Sequence, residues 1–215
     1  MRHLIRAFGV LALAAASATP VAAQIAGSGH DFSGALWMTN SEICVACHTP
    51  HNADQSGAAA SAPLWNHFND TYASYSTYSS TTLNAGVGGV AGQPSGLSKL
   101  CLSCHDGRVG LDAFGGSLGT PTETMTLLYP TSSFGVDLGN DHPISISYSA
   151  GDPELQATTF APGGNWGTAQ VSDVLFGAGT VECASCHDVH NGGDPYKMLV
   201  FSNSGSELCL GCHNK

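Results

Sequence analysis

Cysteine appears in this chain in one arrangement only, and that arrangement limits what the chain can fold around. All eight cysteines lie in four copies of C-x-x-C-H: Cys44-Val45-Ala46-Cys47-His48, Cys101-Leu102-Ser103-Cys104-His105, Cys183-Ala184-Ser185-Cys186-His187 and Cys209-Leu210-Gly211-Cys212-His213. The spacing is that of a c-type haem attachment site. Two thiols add across vinyl groups on one porphyrin edge, and the next histidine offers a nitrogen to the iron. Disulfides and zinc can also use paired cysteines. Neither explains a histidine after every second cysteine. With 10 histidines in 215 residues, independent placement would give that result roughly five times in a million. The expected cofactors are therefore four covalently attached haems, with His48, His105, His187 and His213 as proximal iron ligands.

What fills the second axial position separates electron transfer from small-molecule chemistry, because an open iron binds reactants and a closed one does not. Five further histidines follow the first two dozen residues: His30, His51, His67, His142 and His190. The chain aligned on itself reads His…CxxCHxxH…xLCLxCH twice, with spacing kept inside motifs and variable between them. His30, His51, His142 and His190 occupy repeated positions and are the expected distal ligands. His51, three residues past its own proximal histidine, is too close in sequence to cross its own haem. Its expected target is the haem of Cys101 and Cys104, and that of His190 is the haem of Cys209 and Cys212. His30 and His142 then serve the first haem of each half. His67 has no counterpart and is expected to pack or to hydrogen-bond a propionate. Met38, Met125 and Met198 are rival ligands without repeated positions, better suited to packing. Each ligating imidazole should donate its other N–H to a carbonyl or carboxylate, with Asp106 and Asp188 as candidate acceptors.

The opening MRHLIRAFGVLALAAASATPVAAQ pairs Arg2 and Arg6 with an apolar run and the small residues Val21-Ala22-Ala23. It reads as a secretory signal peptide over 1–23, placing the protein outside the cell or at its surface, with the periplasm as the alternative. Removing it takes away both arginines. Lys99, Arg108, Lys197 and Lys215 then face sixteen acidic residues, a formal charge of −12. Such a chain repels nucleic acid and anionic membranes, and no later run is long enough to cross a bilayer.

Glycine is abundant at 27 residues, and apolar periodicity is too broken to define a large aliphatic core. The expected fold is mostly irregular coil with short α-helices packed around covalently bound haems and little β structure. The expected organisation is a first two-haem module over 24–112, an irregular connector over 113–140 and a second two-haem module over 141–215. Short helices are expected into Cys44 from Asn40 or Ser41, into Cys101 from Ser95 or Ser98, and into Cys209 from Asn203 or Ser204. The polar, then glycine-rich stretch 71–96 should wrap the surface. Tyr72, Tyr75 and Tyr78, spaced by threes, are expected to form a packing or solvent-facing cluster in that loop, with a helical face as the alternative.

GSGHDFSG, CVACHTPHNAD, APLWNH, KLCLSCHDG, NDHPI, VECASCHDVHN and ELCLGCHNK together resemble the exported tetrahaem cytochromes of the doubled-CXXCH type, in particular subunits of extracellular cytochrome filaments (nanowires). The resemblance implies bis-histidine irons at His30, His51, His142 and His190, and a homopolymer with a continuous file of haems. It also implies that a histidine of one subunit completes a haem in the next, with His30 the expected one. The function expected is electron transfer to other redox proteins or extracellular acceptors, not enzymatic turnover. A soluble periplasmic shuttle is the first alternative and a multihaem reductase with one open iron the second.

Overall fold

The computed structural model describes residues 25–69, 74–85, 89–149, 151–190 and 197–215. The expected signal peptide and Tyr72 lie outside them. The expected fold class is what the described residues adopt. Turns and bends dominate, with three short α-helices and two two-residue strands. The helices are α1 (Gly96–His105), α2 (Met125–Leu128) and α3 (Glu207–Cys212). Strands β1 (Ile146–Ser147) and β2 (Thr180–Val181) pair antiparallel, Ile146 against Val181. Among the described residues no helix is long and apolar enough to cross a membrane.

Two of the three expected helices form. Helix α1 begins after Ser95, and Leu100 and Leu102 bury its apolar side. Helix α3 follows a 3-10 turn that starts after Asn203. No helix leads into Cys44. There the chain makes a single turn and then leaves as an extended segment, because the backbone of His48 pairs with Trp65.

The interior is divided into small clusters rather than one core. Trp37, Ala46, Leu111 and Met125 form the first. Tyr75, Leu102 and Leu138 form the second, so Tyr75 points inward from a stretch expected to wrap the surface. Trp166, Val174 and Leu208 form the third. Met125 and Leu138, from the expected connector, pack into the first two clusters. Two of the clusters touch attachment cysteines. Cys47 and Cys104 pack on the first, and Cys186 and Cys212 on the third.

Candidate functional site

The four motifs are built in two ways. In the second and fourth the cysteines lie on helices α1 and α3, where an i, i+3 spacing puts both thiols on one face. In the first and third the chain turns once, with His48 N–H bonded to Cys44 O at 2.8 Å and His187 N–H to Cys183 O at 3.0 Å. It then enters an antiparallel bridge, His48 with Trp65 and His187 with Leu199. The neighbouring backbone bonds match in the two copies: Asn66 N–H to Cys47 O at 2.9 Å, and Val200 N–H to Cys186 O at 3.0 Å.

The same bridges orient the imidazoles of these two motifs. His48 Nδ1 donates to Pro63 O at 2.8 Å and His187 Nδ1 to Lys197 O at 2.7 Å. In each copy the acceptor lies two residues before the bridge partner. The residue between them, Leu64 or Met198, has positive φ, 57° and 49°. Side chains other than glycine seldom occupy that region, so the repeat preserves a costly backbone shape that aims a carbonyl at the ring. His105 Nδ1 donates to Ser132 O at 2.8 Å. A proton fixed at Nδ1 leaves the Nε2 lone pair free for a metal. The acceptors are carbonyls. Asp106 instead accepts the Tyr75 hydroxyl at 2.8 Å, and Asp188 accepts the His190 backbone N–H at 2.9 Å.

Six histidines meet in three pairs. Ring centroids are 5.9 Å apart for His30 and His105, 6.1 Å for His48 and His190, and 6.2 Å for His142 and His213. Imidazoles sharing one metal each keep a nitrogen about 2 Å from it, which sets their centroids roughly 6 Å apart. One C-x-x-C-H histidine enters each pair. The partners differ from those expected on spacing. His190 faces His48 across the two halves, while His213 faces His142. His30 faces His105 and not His48. The three-residue offset gave no hint of this, because a contact between residues 48 and 190 is fixed by packing. His30, expected to reach outward, sits inside. Burial first, then the nearby His105, His187 and His190, depress its pKa from 6.5 to about 4. Its Nδ1 also lies 3.3 Å from Met198 Sδ, which places Met198 beside the His30–His105 pair.

His187 and His51 are left over. Both are exposed, and neither ring faces another imidazole among the described residues. His67 takes the packing role expected of it. It is 2 % exposed, with Nδ1 3.0 Å from Phe68 O and Nε2 3.1 Å from Gly110 O. Its Nε2 is also 3.4 Å from Cys104 Sγ.

All eight cysteines are free thiols. Burial pushes Cys47 and Cys104 up to about 12 and Cys212 to about 11, so these sulfurs are protonated at neutral pH. Cys101 and Cys183, one from each half, hydrogen-bond to each other, which raises the first and lowers the second. Among the described residues no cluster of three or more His, Cys, Asp or Glu side chains could hold a metal ion unaided.

The donor set fits haem. The thiols are paired and preoriented, the imidazoles face each other at metal-spanning distance, and three buried indole N–H groups have no acceptor: Trp37, Trp65 and Trp166. Orphaned buried donors are rare unless an absent group completes them, and haem propionates are acceptors of the right kind. Trp37 and Trp166 stand in no motif, and Trp65 stands in APLWNH with no role marked by it. The family described as the doubled CXXCH motif matches residues 177–215. No curated protein matches the chain. The 177–215 segment is thus a paired attachment unit of c-type cytochrome kind, which binds haem covalently and serves electron transfer.

Proposed function

We propose that this chain is an exported tetrahaem c-type cytochrome that conducts electrons, organised as two-haem modules over 24–112 and 141–215 and polymerised into an extracellular filament. The cysteine pairs 44/47, 101/104, 183/186 and 209/212 hold the haems, and His48, His105, His187 and His213 are the proximal ligands. Haem bound there supplies a one-electron couple. His190, His30 and His142 would supply a second imidazole to the irons held by His48, His105 and His213. Irons held in that way would exclude reactants, so the residues are arranged for electron passage. Ligation by two histidines, without methionine, implies comparatively low potentials.

The observation that carries the reading is the remainder after pairing. One motif histidine, His187, and one spare, His51, are both exposed, and neither faces another imidazole among the described residues. In a polymer, His51 of one copy completes the iron of His187 in a neighbour. His51 replaces His30 in that role, because His30 is already engaged with His105. Surface chemistry supports assembly of like-charged copies. Between residues 113 and 136 the only charged side chain is Glu123, and Leu118, Leu127, Tyr129, Phe134 and Val136 are exposed there. Association through such an apolar face avoids charge repulsion.

Electron microscopy of material shed by cells tests the proposal. Filaments with one chain per repeat are the expected result. His51→Ala should give dispersed subunits in which one iron of four is high-spin. Filaments persisting in that variant would rule out the ligand exchange, and dispersed wild-type subunits with four low-spin irons would replace the filament by a soluble shuttle.

A further inference from the structure

Between the two halves lies a buried carboxylate that none of the cysteine or histidine chemistry uses. Glu182, only 4 % exposed, directly precedes Cys183. Its Oε2 accepts the Ser98 backbone N–H at 3.1 Å, the Ser98 hydroxyl, and the Ser145 hydroxyl at 3.0 Å. Ser98 is the third residue of α1, three before Cys101, so Glu182 caps from 84 residues away the helix that carries the second attachment site. The Ser98 hydroxyl in turn accepts the Cys183 N–H at 2.9 Å. Gly96 makes room for the arrangement. Its φ is +50°, and a Cβ there would stand 3.2 Å from Glu182 Oε1.

The contacts place one carboxylate against both attachment segments, where the sulfurs of Cys101 and Cys183 lie close to each other. Its three donors are neutral, which satisfies the carboxylate without cancelling its charge. A fixed negative charge in a low-dielectric interior stabilises a neighbouring metal centre in its more positive, oxidised state. Burial protects that effect from salt.

Resting on the four-haem reading above, we propose that Glu182 is a positioning residue of the electron path. It clamps the Cys101 helix to the Cys183 turn, and its charge holds the redox centres at those two sites at lower potential than the sites of Cys44 and Cys209. The junction between the halves is thereby both fixed in geometry and electrically distinct from the ends.

The test is a spectroelectrochemical titration of the holoprotein carrying Glu182→Gln, which keeps the shape of the side chain and removes the charge. The expected result is that the low-potential part of the titration curve moves upward while the high-potential part stays in place. A curve that superimposes on the wild type overturns the proposal. Haem counting on the same sample separates the two claims. Four haems with an unmoved curve sinks the role of Glu182 alone, whereas fewer than four in the wild type sinks the reading on which it rests. If the Gln variant does not load haem, Ser98→Ala takes its place. Stripping the carboxylate of its nearest donor must shift the same part of the curve downward, and no shift there overturns the proposal as well.

Discussion

Gly211 in Cys209-Leu210-Gly211-Cys212-His213 sits against the face of Trp166, and Gly211→Ala sets two effects in opposition. A Cβ at 211 would lie 2.1, 2.6 and 2.8 Å from indole atoms Cζ2, Cε2 and Cη2. Carbon atoms in contact rest about 3.5–4.0 Å apart, so the ring must retreat by more than ~1 Å. Trp166 has little freedom to do so. It is 3 % exposed, and its ring stacks on Phe201 at 4.3 Å and 25°. Overpacking of this kind costs about 1–3 kcal/mol. Alanine in place of glycine inside α3 returns up to about 1 kcal/mol of helix propensity. The clash outweighs the gain, for a net loss of about 1–2 kcal/mol. In a chain of this size that lowers Tm by roughly 2–8 °C. Thermal unfolding of haem-matched holoproteins, followed by circular dichroism, reads the change. Gly211→Ala should also cost less in a Trp166→Phe background, where the smaller ring leaves room. An unchanged or raised Tm for the single variant would refute the reasoning.

Three further outcomes follow from the geometry. Tyr75→Phe leaves the buried Asp106 carboxylate without the hydroxyl 2.8 Å away and should cost about 1–3 kcal/mol in urea unfolding; an unchanged midpoint would show that the bond is not made. Burial lowers the pKa of His67 against the opposing pull of Phe68 O, Gly110 O and Asp112. A base with its folded pKa below the unfolded one contributes stability that is present above about pH 6.5 and is lost as pH falls towards the folded value. As pH falls below about 6.5 the urea midpoint should therefore drop more steeply for the wild type than for His67→Asn, and parallel slopes would contradict this. Leu64→Gly should be tolerated within about 1 kcal/mol, because it relieves a backbone φ of 57° while freeing the unfolded chain. A loss of several kcal/mol in the same assay would show that the leucine side chain, and not the turn, matters there.

The attachment chemistry was legible in the sequence because covalent haem binding is local: five consecutive residues supply both thiols and one imidazole. The loose fold was legible for a related reason, since broken apolar periodicity leaves little to build a core. The pairing of histidines was not. His48 and His190 are brought together by packing between halves, and no spacing rule bears on it. The structure of the first and third motifs escaped as well. A helix into Cys44 looked as favourable as one into Cys101, but the bridge to Trp65 removes the backbone groups a second turn would need. Neither the orphaned indoles nor Glu182 carries a sequence signature, because each acts through partners distant in the chain.

The central claim is that two imidazoles close every iron, three pairs within the chain and the fourth between copies. Absorption spectra of intact, reduced material before and after addition of carbon monoxide test it most directly. The account predicts no change in the intact assembly, and binding at one iron in four once His51 is replaced by alanine. Carbon monoxide binding to the untreated assembly would contradict it.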